Sequence, residues 1–120
     1  MQQNEETRAL ALTKAALEGL RRLGLSPVET AAALGVPAGA LTAMRKGSRS
    51  VDGLNGEAEA ADAIVRMVKR LTALLGAEET KWRSWLRRDI PSLRGTPLAL
   101  MIQRQGVSKL VAYLFEVDTL

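Results

Sequence analysis

Prolines and glycines cut this chain into lengths that suit short helices and little else. Ser26-Pro27 and Thr96-Pro97 each place a hydroxyl ahead of a proline. That pairs a natural N-cap with a residue whose missing N–H costs nothing in a first helical turn. Glu29 follows Ser26 by three positions, the spacing of a capping box. Gly24, Gly35, Gly47 and Gly76 each stand just past an apolar stripe of helical period. A glycine there closes a helix in the left-handed conformation that other residues avoid. With 120 residues, the chain makes one compact domain or two small lobes on a shared core.

Between these marks the apolar residues recur at three- and four-residue intervals. Residues 1–5 are expected to fray. A first helix is expected over Glu6–Leu23, with Leu10, Leu17 and Leu20 beside the smaller Thr13 and Ala16. A second runs from the Ser26-Pro27 start to Leu34, and a third from Pro37 to Lys46. A connector at 48–56 offers Asn55 as a cap for a long helix. That helix carries Glu57 and Glu59 in its first turn and Ala61, Ile64, Val68, Leu71 and Leu75 on one face. Further helices are expected over Ala77–Asp89, from Thr96-Pro97 to Arg104, and after Gly106, which breaks the chain ahead of Val107, Leu110, Val111 and Leu114. Aromatic residues are only 3% against 47% hydrophobic, so Ala, Leu and Val must fill the core, a mix that favours helices. No strand alternation, repeat or low-complexity tract interrupts an all-α reading.

Several classes of chemistry are disfavoured. Cys and His are both absent, which removes thiolate nucleophiles, disulfides, most zinc sites and histidine bases together. No glycine-rich phosphate loop or spaced carboxylate cluster is present. The expectation is a protein that is not an enzyme and uses no metal, cofactor or small-molecule ligand. No apolar run approaches the ~18 residues needed to span a bilayer. Met1–Glu6 is polar and acidic, unlike a signal peptide. The expected location is the cytoplasm, with no membrane partner. The net charge of +4 suits nucleic acid, and equally an Arg-rich protein with no such partner.

Residues 26–47 carry the first functional signal. Two short helices meet at Leu34-Gly35-Val36, where glycine supplies the tight turn of a helix-turn-helix. Ala31, Leu34, Leu41 and Met44 are the packing positions. Such a unit sets its second helix in the DNA major groove. The run Ser26-Pro-Val-Glu-Thr-Ala-Ala-Ala-Leu-Gly-Val-Pro-Ala-Gly-Ala-Leu-Thr-Ala-Met-Arg-Lys-Gly47 resembles the Cro/C1 (Xre) helix-turn-helix family without a gap. Pro27 stands where that family commonly has a glutamine. The exposed recognition positions, Ala38, Gly39, Thr42 and Ala43, carry none of the bidentate donors that discriminate bases. Arg45, Lys46 and Arg49 suit phosphate contacts, which give affinity and register. The candidate DNA-binding residues are Gly39, Thr42, Arg45, Lys46 and Arg49. The bland alternative is a helical hairpin that only packs.

The second signal is an ordered series: Trp82-Arg-Ser-Trp85-Leu86, then Leu93-Arg-Gly95-Thr96-Pro97-Leu98, then Gly106 and the apolar Val107–Leu114 stretch. It resembles the toxin-binding domain of the MbcA/ParS/Xre antitoxin family over residues 60–120. With the helix-turn-helix, the likeness covers nearly the whole chain. Ile90 stands where an asparagine is common in that family's loop. The resemblance implies an all-α fold. A Cro/C1-like helix-turn-helix module at 1–54 would pack on a helical toxin-binding module at 55–120. It implies a type II antitoxin that covers the active-site cleft of a RES-domain, NAD-consuming toxin, binds no NAD itself, and represses its own operator DNA.

Exposure selects the candidate toxin contacts, because large apolar residues such as Trp85, Leu86 and Leu98 pack inward. They are Arg87, Arg88 and Arg94, then Gln103, Arg104 and Gln105, and the tail residues Asp118 and Leu120, whose short carboxylate end suits a cationic pocket. For the arginines a solvated face is the open alternative. Val65, Met67 and Leu74 give the long helix apolar surface beyond one stripe, for a homodimer or a wide internal face. The alternative function is a stand-alone helix-turn-helix regulator.

Overall fold

A computed structural model describes residues 2–53 and 55–120. Met1, and Leu54 at the expected boundary between modules, lie outside the described residues. The described residues form seven α-helices: α1 (Gln2–Arg22), α2 (Pro27–Leu34), α3 (Ala40–Lys46), α4 (Glu57–Leu75), α5 (Glu79–Leu86), α6 (Pro97–Met101) and α7 (Gly106–Glu116). One 3₁₀ turn, Pro91–Leu93, lies between α5 and α6. Among the described residues there is no strand. Ile90 and Gly95 pair as a single isolated bridge. No described helix is long and apolar enough to cross a membrane.

Helix α4 is the centre of the fold. It packs against α1 on one side and α7 on the other. Its inward residues Ala61, Ile64, Met67 and Leu71 are fully buried. They meet Ala16 and Leu20 of α1, Leu23 just past its end, and Leu110 and Leu114 of α7 in one continuous core. The residues expected as surplus are consumed within the monomer in part: Met67 is fully buried, and Leu74 packs half-buried against the core. Gly19 lets α1 approach, since a Cβ there would stand 3.0 Å from the Val68 side chain. A mid-helix glycine costs about 1 kcal/mol against alanine, and close packing against α4 is what offsets that cost here.

Several boundaries differ from expectation. Helix α1 begins at Gln2, four residues early; Gln and Glu are strong helix formers, and Glu5 in the first turn favours the dipole. Pro37 does not open α3. The chain instead closes two i→i+3 bonds, Ala40 N to Pro37 O at 2.9 Å and Leu41 N to Ala38 O at 3.3 Å, so α-helix starts only at Ala40. Helix α5 is shorter at both ends than Ala77–Asp89. Helix α6 stops at Met101, because Gln103–Gln105 form the next turn. Asn55 does not cap α4: the N-cap is Gly56, with no side-chain bond.

Gly106 has a different role from helix breaking. It lies inside the first turn of α7. A Cβ at this position would fall 1.7 Å from the Leu100 carbonyl oxygen. The glycine is the clearance that lets α7 start hard against the end of α6.

Candidate functional site

Two surfaces hold the residues that sequence reasoning selected. The first is α2, its turn, and α3. The capping box forms as expected: Ser26 Oγ accepts from Glu29 N at 3.2 Å, and Glu29 Oε1 accepts from Ser26 N at 2.9 Å. Gly35, at φ 74°, ends α2. The N–H of Val36 then reaches back to Ala31 O at 3.0 Å, the bonding of a Schellman closure. Ala31, Leu34, Leu41 and Met44 are buried. Ala38, Gly39, Thr42, Arg45 and Lys46 are exposed, and Ala43 is half-buried. The exposed side of α3 and its N-cap therefore offer one hydroxyl, a glycine and two cations.

Arg49 departs from the expectation of a free phosphate contact. Its Nη2 donates to Glu57 at 3.1 Å, and the Glu57 side chain is only 4% exposed. Its Nη1 is buried without a hydrogen-bond partner. Glu57 also accepts from Asp52 N at 3.0 Å. The arginine is thus a tie between the connector and α4, its charge paired with Glu57 and its side chain half-buried. Thr13 makes a second tie. Fully buried on α1, it donates to Ala9 O at 2.6 Å and accepts from Val51 N at 2.9 Å. Together Thr13 and Glu57 fix the connector that follows α3. Thr13 in the α1 stripe and Glu57 at a helix start are legible in the sequence; their partners Val51 and Arg49 are not.

A groove of about 370 Å³ opens between α1 and the α2–α3 pair. Lys14, Arg21 and Arg45 stand on its walls, with Glu18. Arg21 donates to Glu18 at 2.6 and 3.0 Å. That hydrogen bond holds the Glu18 carboxyl below its ordinary value and raises the guanidinium.

The second surface belongs to α5–α7. Trp82, Trp85 and Leu86 are buried, as expected of large apolar residues. Trp82 Nε1 donates to Gly76 O at 2.8 Å, and the Arg22 guanidinium lies over the indole at 4.5 Å. Arg22 also pairs with Glu79 at 2.9 Å, while Arg83 Nε donates to Arg22 O at 3.0 Å. These contacts fasten α5 to the end of α1 and were not legible in the sequence. Arg87 leans the same way, with Nη2 at 3.4 Å from Gly24 O. Arg88 and Arg94 are exposed and in no ion pair among the described residues.

The loop that lacks the asparagine is held by backbone. Ile90 N donates to Gly95 O at 2.9 Å, and Leu93 N donates to Ile90 O at 2.9 Å. The Ile90 side chain packs on the core. Arg94 takes the left-handed conformation at φ 58°. Thr96 Oγ1 then caps α6, accepting from Ala99 N at 3.1 Å.

Gln103, Arg104 and Gln105 are exposed, but they line a different groove of about 460 Å³. Its other walls include Leu34 and Gly35 at the end of α2, and Gly56 and Glu59 at the start of α4. Arg87, Arg88 and Arg94 are not among its walls. Of the expected toxin-contact residues, only Gln103, Arg104 and Gln105 line this groove. The tail differs from a free extension. Arg70 donates to Leu114 O at 2.9 Å and Val117 O at 2.7 Å, and Leu120 packs half-buried against the core. Asp118 stays exposed.

No group of three or more acidic, His or Cys side chains among the described residues is placed to hold a metal ion. The sequence matches no known family model and no curated protein.

Proposed function

We propose that this chain is the antitoxin of a type II toxin–antitoxin pair, with a Cro/C1-like helix-turn-helix at 1–54 and a toxin-binding helical module at 55–120. The observation that carries the reading is the ordered C-terminal series. A Trp-Leu helix is followed by a loop into Gly-Thr-Pro, and a terminal helix begins at a glycine. Its support in the structure is a division of labour. Trp82, Trp85, Leu86 and Leu98 are buried, while Arg88, Arg94, Gln103, Arg104 and Gln105 are left outside.

The partner is a RES-domain toxin that consumes NAD. Neutralisation is steric: the antitoxin covers the toxin's cleft with its arginine and glutamine side chains and does no chemistry itself. Exposed arginines match carboxylates in planar, two-point fashion. The α2–α3 unit binds operator DNA through Thr42, Arg45 and Lys46, with Gly39 allowing close approach. Its chemistry is mostly phosphate contact, so it holds register more than it reads bases. A homodimer sets two such units on two half-sites.

Co-expression tests this directly. The reading expects that the RES-type protein encoded beside this gene arrests growth alone, and that this chain restores growth and co-purifies with it. A non-toxic neighbour, or separate elution of the two proteins, removes the reading. A stand-alone regulator is the second reading, favoured by the two exposed cations Arg45 and Lys46 on α3. Tight, sequence-selective operator binding without any partner would select it.

A further inference from the structure

We propose that Lys14, on α1, is a phosphate contact for double-stranded DNA, acting with Arg45 of α3 across the groove between those helices. The inference rests on the DNA-binding reading of α2–α3 and extends the footprint to a helix outside that unit.

The groove floor is apolar, built from Leu17 and the fully buried Met44. Of its four charged walls, Glu18 and Arg21 satisfy each other at 2.6 and 3.0 Å. Lys14 and Arg45 are exposed and in no ion pair among the described residues. The groove thus carries two uncompensated positive charges, one from each helix. Both are set on firm elements: α1 packs on α4, with Ala16 and Leu20 buried, and α3 packs on α1 and α2, with Leu41 and Met44 buried.

The chemistry separates possible occupants. A small anion needs several donors converging on one point, and this groove holds two cations outside ion pairs, on opposite walls over an apolar floor. A polyanion can set one charge on each. Arg45 continues into the exposed Lys46 and Thr42 on the same helix, so the positive line runs from α1 on to the outer side of α3. Duplex DNA, with one charge per about 1.7 Å of axis, supplies phosphates along any such line.

The test is anisotropy titration of the full chain on a labelled duplex across a salt series. The variants are Lys14→Gln, Lys14→Arg, Arg45→Gln, the double of the two Gln variants, and Lys69→Gln as an exposed cation outside the groove. Each lost phosphate contact should reduce the slope of log K against log salt by about 0.9. The expected result is a reduction of about 0.9 for each single variant and about 1.8 for the double, with Lys69→Gln and Lys14→Arg keeping the parent slope. If the parent binds with a steep slope and Lys14→Gln leaves it unchanged, the Lys14 assignment is overturned and the α3 reading stands. If the parent binds no duplex, both fall. Displacement of duplex by poly-glutamate at equal charge concentration overturns the choice of DNA as partner.

Discussion

Arg49 Nη2 lies 3.1 Å from the carboxylate of Glu57, a side chain buried at the first turn of α4. The carboxylate has a second donor in Asp52 N at 3.0 Å. One acidic residue therefore closes the connector between α3 and α4 from two directions. Removing it strands a partly buried guanidinium and a backbone N–H. Breaking a fully buried pair costs about 3–5 kcal/mol; Arg49 keeps some water contact, so Glu57→Ala should cost about 2–3 kcal/mol. Glu57→Gln retains an acceptor and should cost less. Urea unfolding decides it: a Glu57→Ala midpoint equal to the parent would show that the tie carries no stability. Arg49→Gln should leave the salt slope of DNA binding unchanged, unlike Arg45→Gln.

Gly106 and Gly39 make a matched pair. A Cβ at Gly106 would collide with Leu100 O at 1.7 Å, whereas Gly39 has open space within 4 Å and φ −65°. Gly106→Ala must push α6 and α7 apart, at a cost of about 3 kcal/mol or more. Gly39→Ala should stabilise by about 0.4–1 kcal/mol, through the unfolded state. Thermal unfolding of the two variants should move in opposite directions. A Gly106→Ala protein as stable as the parent would contradict the close approach.

Arg94 holds a left-handed backbone at φ 58°. A non-glycine residue there carries about 1–2 kcal/mol of strain, part of which Gly gives back as unfolded-chain entropy. Arg94→Gly should therefore raise stability by about 0.5–1 kcal/mol while weakening toxin binding. Calorimetry of folding and of the complex reads the two effects separately. Unchanged toxin affinity would take Arg94 out of the interface.

Ser26 caps α2 through the reciprocal bonds with Glu29 at 3.2 and 2.9 Å. Ser26→Ala should cost about 1 kcal/mol. Most of that loss should recur in Glu29→Ala, and the double variant should lose less than the sum, because the two bonds form one box. Strict additivity in a double-mutant cycle would refute the reciprocal arrangement.

Local chemistry was the legible part of this chain. The Ser26–Glu29 box, the Thr96 cap and the closures at Gly35 and Gly47 could be read because each signal lies within a few residues of its effect. The burial of Trp82, Trp85 and Leu86 followed from helical spacing. Long-range ties had no such signature. Thr13 and Val51 are 38 residues apart, and Arg22 with Glu79 are 57 apart. Arg49 looked like a third free cation beside Arg45 and Lys46, because nothing in the connector marks Glu57 as buried. Gly106 was noticed for a helix break, while the clearance over Leu100 that it supplies depends on how α6 and α7 cross. On the candidate surfaces, charge and exposure could be anticipated. The groove that Gln103–Gln105 share with the end of α2 and the start of α4 came only with the fold.

An antitoxin of the proposed kind silences a catalytic partner by covering it. The direct measurement is NAD consumption by the purified RES-type partner, titrated with this chain. Consumption should fall to background at saturation, Arg88→Glu with Arg94→Glu should shift the titration to higher concentration without unfolding the chain, and the chain alone should consume no NAD. Full NAD turnover in the presence of saturating chain would contradict the proposed silencing.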